Sequence, residues 1–198
     1  MEKEYWKKYY KNKLNKTLPP PSQFAAFTIS YLNSYDLTVI DYASGDGRDS
    51  VFFSNYFSKV YTVDQVQGIS ETEITKHENL EFLYPENLSR SNIQTDNCIV
   101  YARFFLHAIS DEEQSVFMQN MKELLLPNEK IFLEFRVDED STRTKATEAH
   151  YRRFQTMNEV IEQLKLFDFK TLYSVQGMGF AMYKEDDAFV ARIVAERI

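Results

Sequence analysis

Between Leu37 and Phe53 the chain runs from a short apolar stretch, Leu37 to Ile40, through Asp41-Tyr42-Ala43-Ser44-Gly45-Asp46-Gly47-Arg48-Asp49 and into Ser50-Val51-Phe52-Phe53. That order predicts a buried strand ending in a carboxylate, a turn with glycines at alternate positions, and the start of a helix. A strand feeding a helix in this way opens an α/β sheet, where ligands gather beyond the carboxyl ends of the strands. The two glycines let backbone pass close to a ligand at a helix N-terminus, so the segment predicts a nucleotide-like cofactor. The bland alternative is a plain turn in which Asp46 or Asp49 caps the helix.

Spacing selects among cofactors. The dinucleotide fingerprint Gly-x-Gly-x-x-Gly, begun at Gly45 and Gly47, would need its third glycine where Ser50 stands. A pyrophosphate is negative and is repelled by a carboxylate at the strand end, whereas S-adenosylmethionine carries a sulfonium and an ammonium group. Asp41 therefore suits S-adenosylmethionine better than NAD. A second strand, Lys59-Val60-Tyr61-Thr62-Val63, ends in Asp64, 17 residues after Gly47. This is close to the spacing at which an acid meets ribose hydroxyls, and two hydroxyl donors call for the acceptor pair of a carboxylate.

Asp41-x-Ala43-x-Gly45-x-Gly47 resembles the acid-x-Gly-x-Gly-x-Gly motif of class I S-adenosylmethionine-dependent methyltransferases. Ala43 replaces the first glycine; its methyl is tolerable where φ is negative and narrows the room beside the methionine part of the cofactor. The resemblance implies a Rossmann-like, seven-stranded, mostly parallel α/β sheet with one antiparallel strand and helices on both faces. It also implies a cofactor site built from Asp41, Ala43, Ser44, Gly45, Asp46, Gly47, Arg48 and Asp64, with Arg103 and Phe104 after the fourth strand.

The order of elements agrees with that sheet. Leu80 to Tyr84 and Asn97 to Phe105 read as the third and fourth strands, Lys130 to Arg136 as the fifth, Phe169 to Val175 as the sixth and Ala188 to Ala195 as the last. Helical spacing marks Asp111 to Leu126, with Ser110 as its cap, and Thr156 to Leu166. Pro19-Pro20-Pro21 separates a first helix from the core. At 198 residues, 43% hydrophobic and 15% aromatic, the chain has the size and composition of one globular domain, 1–198, in which the resemblance implies residues 1–25 as an N-terminal helical lid.

Net charge of −7 argues against nucleic acid as a partner, because phosphate neutralisation supplies most of such affinity. The lysine-rich stretch Met1 to Lys16 reads as a solvated helix face. The single cysteine, Cys98, sits in an apolar run and reads as a buried thiol, no apolar run is long enough for a membrane span, and a reducing cytoplasm fits best. No residue is assigned to a metal.

Residues after the fourth and fifth strands are the place to seek acceptor chemistry. His107 is a candidate general base, against the alternative of a histidine packed beside aromatic side chains and bonded to backbone. His150 is a second candidate. Arg136 with Arg152 or Arg153 forms an expected clamp for phosphate or carboxylate, the alternative being arginines in salt bridges. Tyr9, in the aromatic first helix, is an expected substrate contact within the lid.

The runs Gly45 to Ser50, Tyr101 to Ile109, His150 to Phe154 and Gly179 to Asp186 look like those of bacterial methyltransferases associated with cell-surface polysaccharide synthesis. That resemblance implies O-methylation of a small or glycan-linked acceptor bearing phosphate or sugar. The rival expectations are a non-catalytic S-adenosylmethionine-binding regulatory subunit and an NAD-dependent oxidoreductase. Acceptor and oligomeric state stay open at this level.

Overall fold

A computed structural model of the chain describes residues 3–11, 17–93, 97–143, 145, 151–183 and 185–198. Residues 2–101 and 102–198 form two compact units.

In the first unit, helix α1 (Lys3–Lys11) and helix α2 (Gln23–Tyr31) precede the alternation β1 (Thr38–Tyr42), α3 (Arg48–Phe53), β2 (Lys59–Val63), α4 (Glu71–Thr75) and β3 (Leu80–Leu83). Strand β4 (Cys98–Arg103) reaches the boundary between the units. β1 and β2 are rich in β-branched residues and buried along nearly their whole length, as parallel strands covered on both faces must be. Their parallel register pairs Asp41 with Thr62 and Tyr42 with Val63, so the two strands end side by side. Ser22 caps α2 by accepting from the Ala25 N–H.

The second unit continues with α5 (Asp111–Leu124), β5 (Lys130–Arg136), α6 (Met157–Leu166), β6 (Phe169–Gly177), the short β7 (Met182–Tyr183) and β8 (Asp186–Asp187), and β9 (Val190–Arg197). α5 and α6 each begin in a reciprocal capping box, Ser110 with Glu113 and Thr156 with Glu159. α5 stops at Leu124, two residues short of the sequence expectation, because Pro127 disfavours helical backbone at Leu126.

Seven strands form one sheet in the order β3-β2-β1-β4-β5-β9-β6. β9 runs antiparallel to both β5 and β6. The expected seven-stranded sheet with one antiparallel member is therefore present. The last two of its strands in chain order, β6 and β9, are joined by a segment holding the additional two-stranded ribbon β7-β8. Cys98 is buried, its Sγ accepting from Arg90 Nη1 at 3.1 Å, and among the described residues no helix is long and apolar enough to cross a membrane.

Candidate functional site

The turn after β1 is built from left-handed residues. Gly45 and Gly47 have φ of 62° and 76°, and Ala43 has φ of 59°. The negative φ that would make Ala43 comfortable is therefore not the one it adopts. A non-glycine residue in this region carries a cost of about 1–2 kcal/mol, and the turn imposes it so that the Ser44 N–H can reach the Val63 carbonyl at 3.1 Å. Ser44 Oγ also accepts from Thr62 Oγ1 at 2.7 Å.

The sides of Gly45 and Gly47 where a Cβ would project are filled by protein. A Cβ on Gly47 would lie 2.6 Å from Ile69 Cδ1, and one on Gly45 would lie 2.6 Å from the Tyr10 hydroxyl. Both glycines are thus required for the left-handed turn and for close packing of the chain upon itself. Gly68, which has ordinary φ, is needed for the same packing: its Cβ would fall 2.2 Å from the Gly45 carbonyl oxygen.

The two strand-end acids are held differently. Asp64 accepts from the Gly45 N–H at 3.0 Å and from the Val66 N–H at 3.1 Å. Burial pushes its carboxyl up to about 6, against the pull of N–H groups of Gly45, Val66 and Gln65. Asp41 is 2% exposed and accepts from Ser50 Oγ at 2.5 Å. Burial, then the nearby Asp49 carboxylate, holds Asp41 well above the usual carboxylate range, with the Ser50 hydrogen bond opposing. Asp46 and Arg48 are half-buried on the same turn, Arg48 Nε lying 3.8 Å from Asp49.

Two tyrosines that the motif reading did not single out adjoin this turn. Tyr42 ends β1, and burial followed by Asp64 and Glu86 pushes its hydroxyl to about 12. Tyr10, on α1, lies over Gly45, and burial followed by Asp64 and Asp46 raises its hydroxyl well above the ordinary range. Tyr9, the residue of α1 expected at the site, instead packs edge-on against Trp6 and Tyr10 and stacks with Tyr5.

In the second unit, the residues after β4 and β5 form a dense ionic cluster. Glu134, 1% exposed, bridges Arg103 and Arg192, each Nε lying 2.8 Å from one of its oxygens. Phe104 has φ of 56°, which is why β4 ends at Arg103 and not at Phe105. Its ring lies under the guanidinium groups of Arg103 and Arg136, 4.2 and 5.3 Å from the centroid.

The expected anion clamp is not assembled. Arg136 is 6% exposed and donates to Asp140 and Asp186, each at 2.6 Å, so its charge is already met by two carboxylates. Arg153 donates to the carbonyls of Ile109 and Leu106 and to Asp111 and Gln114. Arg152 is half-buried. Arg136 and Arg153 are thus engaged in ion pairs within this unit.

His107 is 4% exposed, and its Nδ1 accepts the backbone N–H of Arg136 at 3.3 Å. That hydrogen bond assigns the proton of the neutral ring to Nε2, so the ring offers a donor there and has its acceptor nitrogen in use. Phe104 packs edge-on against it. This is the packed, backbone-bonded histidine of the alternative reading. His150 lies outside the described residues. Among the described residues, no group of three or more His, Cys, Asp or Glu side chains is placed to hold a metal ion.

No protein-family model matches the chain, and no curated protein matches its sequence. Solved structures do match it. A methyltransferase from Anabaena variabilis, described as S-adenosylmethionine-dependent, is 18% identical, with 99% of this chain and 95% of that one covered at a TM-score of 0.69. Phosphoethanolamine N-methyltransferase 1 of Haemonchus contortus, in complex with phosphoethanolamine and S-adenosylhomocysteine, is 14% identical at a TM-score of 0.70. There, 98% of this chain covers 49% of the other. The cyclase SpnF is 10% identical, with 88% and 80% covered and a TM-score of 0.64. The same architecture thus serves more than one chemistry, and activity must be argued from the site. The order of the strands, the antiparallel β9 and these likenesses together give the chain the Rossmann-like fold of the class I methyltransferases.

Proposed function

We propose that this protein transfers a methyl group from S-adenosylmethionine to an oxygen of a small or glycan-linked acceptor bearing phosphate or sugar. The observation that carries the cofactor half is the joining of Asp64 to the glycine turn through the Gly45 N–H. It puts an acceptor pair for ribose hydroxyls beside backbone fit for the rest of the cofactor. Asp46 and Asp64 give that turn a negative field, which favours a sulfonium and an ammonium and disfavours the pyrophosphate of NAD. Ala43, Ser44, Gly45, Gly47 and Arg48 are the proposed contacts of the methionine part, and Arg103 and Phe104 are assigned to the cofactor on the motif resemblance alone.

Methyl transfer is an in-line displacement at carbon, and its demands are alignment and, for a neutral nucleophile, removal of a proton. With His107 Nδ1 already accepting from backbone, the arrangement favours an acceptor that arrives ionised. A phosphate-type oxygen needs no general base. The resemblance of the runs Tyr101 to Ile109 and Gly179 to Asp186 to polysaccharide-associated methyltransferases supports the same class, and a cytoplasmic setting goes with it.

Titration calorimetry with S-adenosylmethionine, S-adenosylhomocysteine and NAD tests the cofactor half. Binding of the first two without NAD is expected; binding of NAD alone would end the proposal. Methyl release from labelled S-adenosylmethionine in the presence of phosphate-bearing and neutral glycans tests the acceptor half. Cofactor binding with no transfer to either class would leave a regulatory, non-catalytic protein.

A further inference from the structure

Helix α1 carries four aromatic residues, Tyr5, Trp6, Tyr9 and Tyr10, of which Tyr10 lies against the glycine turn. The long axis of the Tyr10 ring lies across two glycines from two different loops. Its Oη end stands 2.6 Å from the Cβ position of Gly45, and its Cγ end 3.0 Å from that of Gly68. These glycines are themselves in backbone contact, so they make a floor on which the ring rests. A side chain on Gly45 would displace the Tyr10 hydroxyl, and one on Gly68 would clash first with the Gly45 backbone and then with the Tyr10 ring. The hydroxyl at the end of the ring thus lies over Gly45, whose N–H is bonded to Asp64 and which precedes Asp46.

We infer that Tyr10 is a cofactor-contacting residue, and that α1 docks on the glycine turn together with S-adenosylmethionine, the Tyr10 hydroxyl donating a hydrogen bond to an oxygen of that ligand. The inference rests on the proposed cofactor and adds to it the group on α1 that reads it. A phenol surrounded by carboxylates keeps its proton at neutral pH, so it serves as a neutral donor and takes no part in proton removal. Trp6, the one tryptophan of the chain, stacks on Tyr10 with centroids 5.7 Å apart and planes 21° apart. Its emission therefore reports the position of the ring.

The test is calorimetry and Trp6 fluorescence with S-adenosylhomocysteine on the wild-type chain, Tyr10→Phe, Tyr10→Ala and Tyr5→Phe. Loss of the hydroxyl in Tyr10→Phe is expected to weaken binding about threefold to tenfold, the scale of one hydrogen bond. Tyr10→Ala is expected to weaken it further and to abolish the ligand-induced change in Trp6 emission, while Tyr5→Phe binds as the wild type does. Unchanged or tighter binding by both Tyr10 variants would overturn the inference while leaving the cofactor proposal standing. Failure of the wild-type chain to bind S-adenosylhomocysteine would instead remove the cofactor proposal, and this inference with it. Tyr10→Phe keeps the ring on its glycine floor, so the comparison does not depend on Tyr10→Ala folding.

Discussion

Ser22 and Asp49, 27 positions apart, are joined by two hydrogen bonds of 2.7 Å, one from the Ser22 backbone N–H and one from its hydroxyl, to the two oxygens of the same carboxylate. Tyr101 adds a third from its phenol at 2.8 Å. Ser22 is also the cap of α2, so Asp49 fixes the chain just after Pro19-Pro20-Pro21 onto the first turn of α3. Asp49→Ala leaves a buried N–H and two hydroxyls without their common acceptor. Equilibrium denaturation is expected to show a loss of about 2–4 kcal/mol, in the range for buried hydrogen bonds to a charged group. Asp49→Asn, which keeps the shape and one acceptor oxygen, should lose less; equal losses would mean that the charged pair of acceptor oxygens, and not shape, holds the segment.

Ala43 and Phe104 are both left-handed, and each directly follows a strand, β1 or β4. The other two non-glycine residues of this kind, Asn128 and Asp168, are of the types that tolerate it. Replacing Ala43 by glycine removes the Cβ penalty but increases the entropy of the unfolded chain, so the net gain is smaller than the strain. Ala43→Gly is expected to raise stability by about 0.5–1 kcal/mol. Ala43→Val, adding a branched side chain at the same φ, should destabilise. A shift of the denaturation midpoint to lower denaturant in Ala43→Gly would show that the methyl contributes packing worth more than its strain.

The fold was legible because two periodic signals coincide with acids: β1 and β2 are short, apolar and β-branched, and each leads to a carboxylate. The glycine turn was legible as a turn, but the reason for its glycines was only partly so. That Gly47 makes room for Ile69 and Gly45 for Tyr10 depends on contacts across 22 and 35 positions. α1 presents two adjacent aromatic pairs, and nine residues of helix do not tell which ring faces the turn. Gly68, so soon after Asp64, was the available hint. The arginines were least legible. Arg136 finds one partner four residues on and the other fifty on, and a sequence cannot show that a cation near a strand end is already neutralised. The β7-β8 ribbon that supplies Asp186 is only two residues per strand, too short to leave a pattern.

His107 supplies a separable prediction. Its Nδ1 satisfies the backbone N–H of Arg136, and the side-chain oxygen of asparagine can occupy a similar place. His107→Asn is therefore expected to stay within about 1 kcal/mol of the wild type, whereas His107→Ala leaves a buried N–H unpaired and a cavity, costing about 2–4 kcal/mol. If the acceptor arrives ionised, His107→Asn should also retain substantial methyl transfer. A loss of transfer of a thousandfold or more, with folding and cofactor binding intact, would restore the ring as a catalytic group.

The pH dependence follows from Asp64, whose carboxyl titrates at about 6 in the folded chain against 3.8 for the ordinary group. Between those values the folded chain holds a proton that the unfolded chain has released, so stability falls as pH rises from about 4 to 6 and levels off above. Two units correspond to a cost on the order of 2–3 kcal/mol for keeping Asp64 ionised in place. The site takes up that cost because an ionised carboxylate accepts both ribose hydroxyls and a protonated one does not. Affinity for S-adenosylhomocysteine should then run opposite to stability, rising as pH passes upward through about 6. Asp41 is shifted in the same direction, so the wild-type profile alone does not isolate Asp64. Asp64→Asn does: denaturation from pH 4.5 to 7.5 should show a smaller decline in the variant, and calorimetry should show weaker binding without the rise near 6. Parallel stability profiles for the two proteins, or a wild-type affinity that is flat across this range, would refute the assignment of Asp64 as the ribose acceptor.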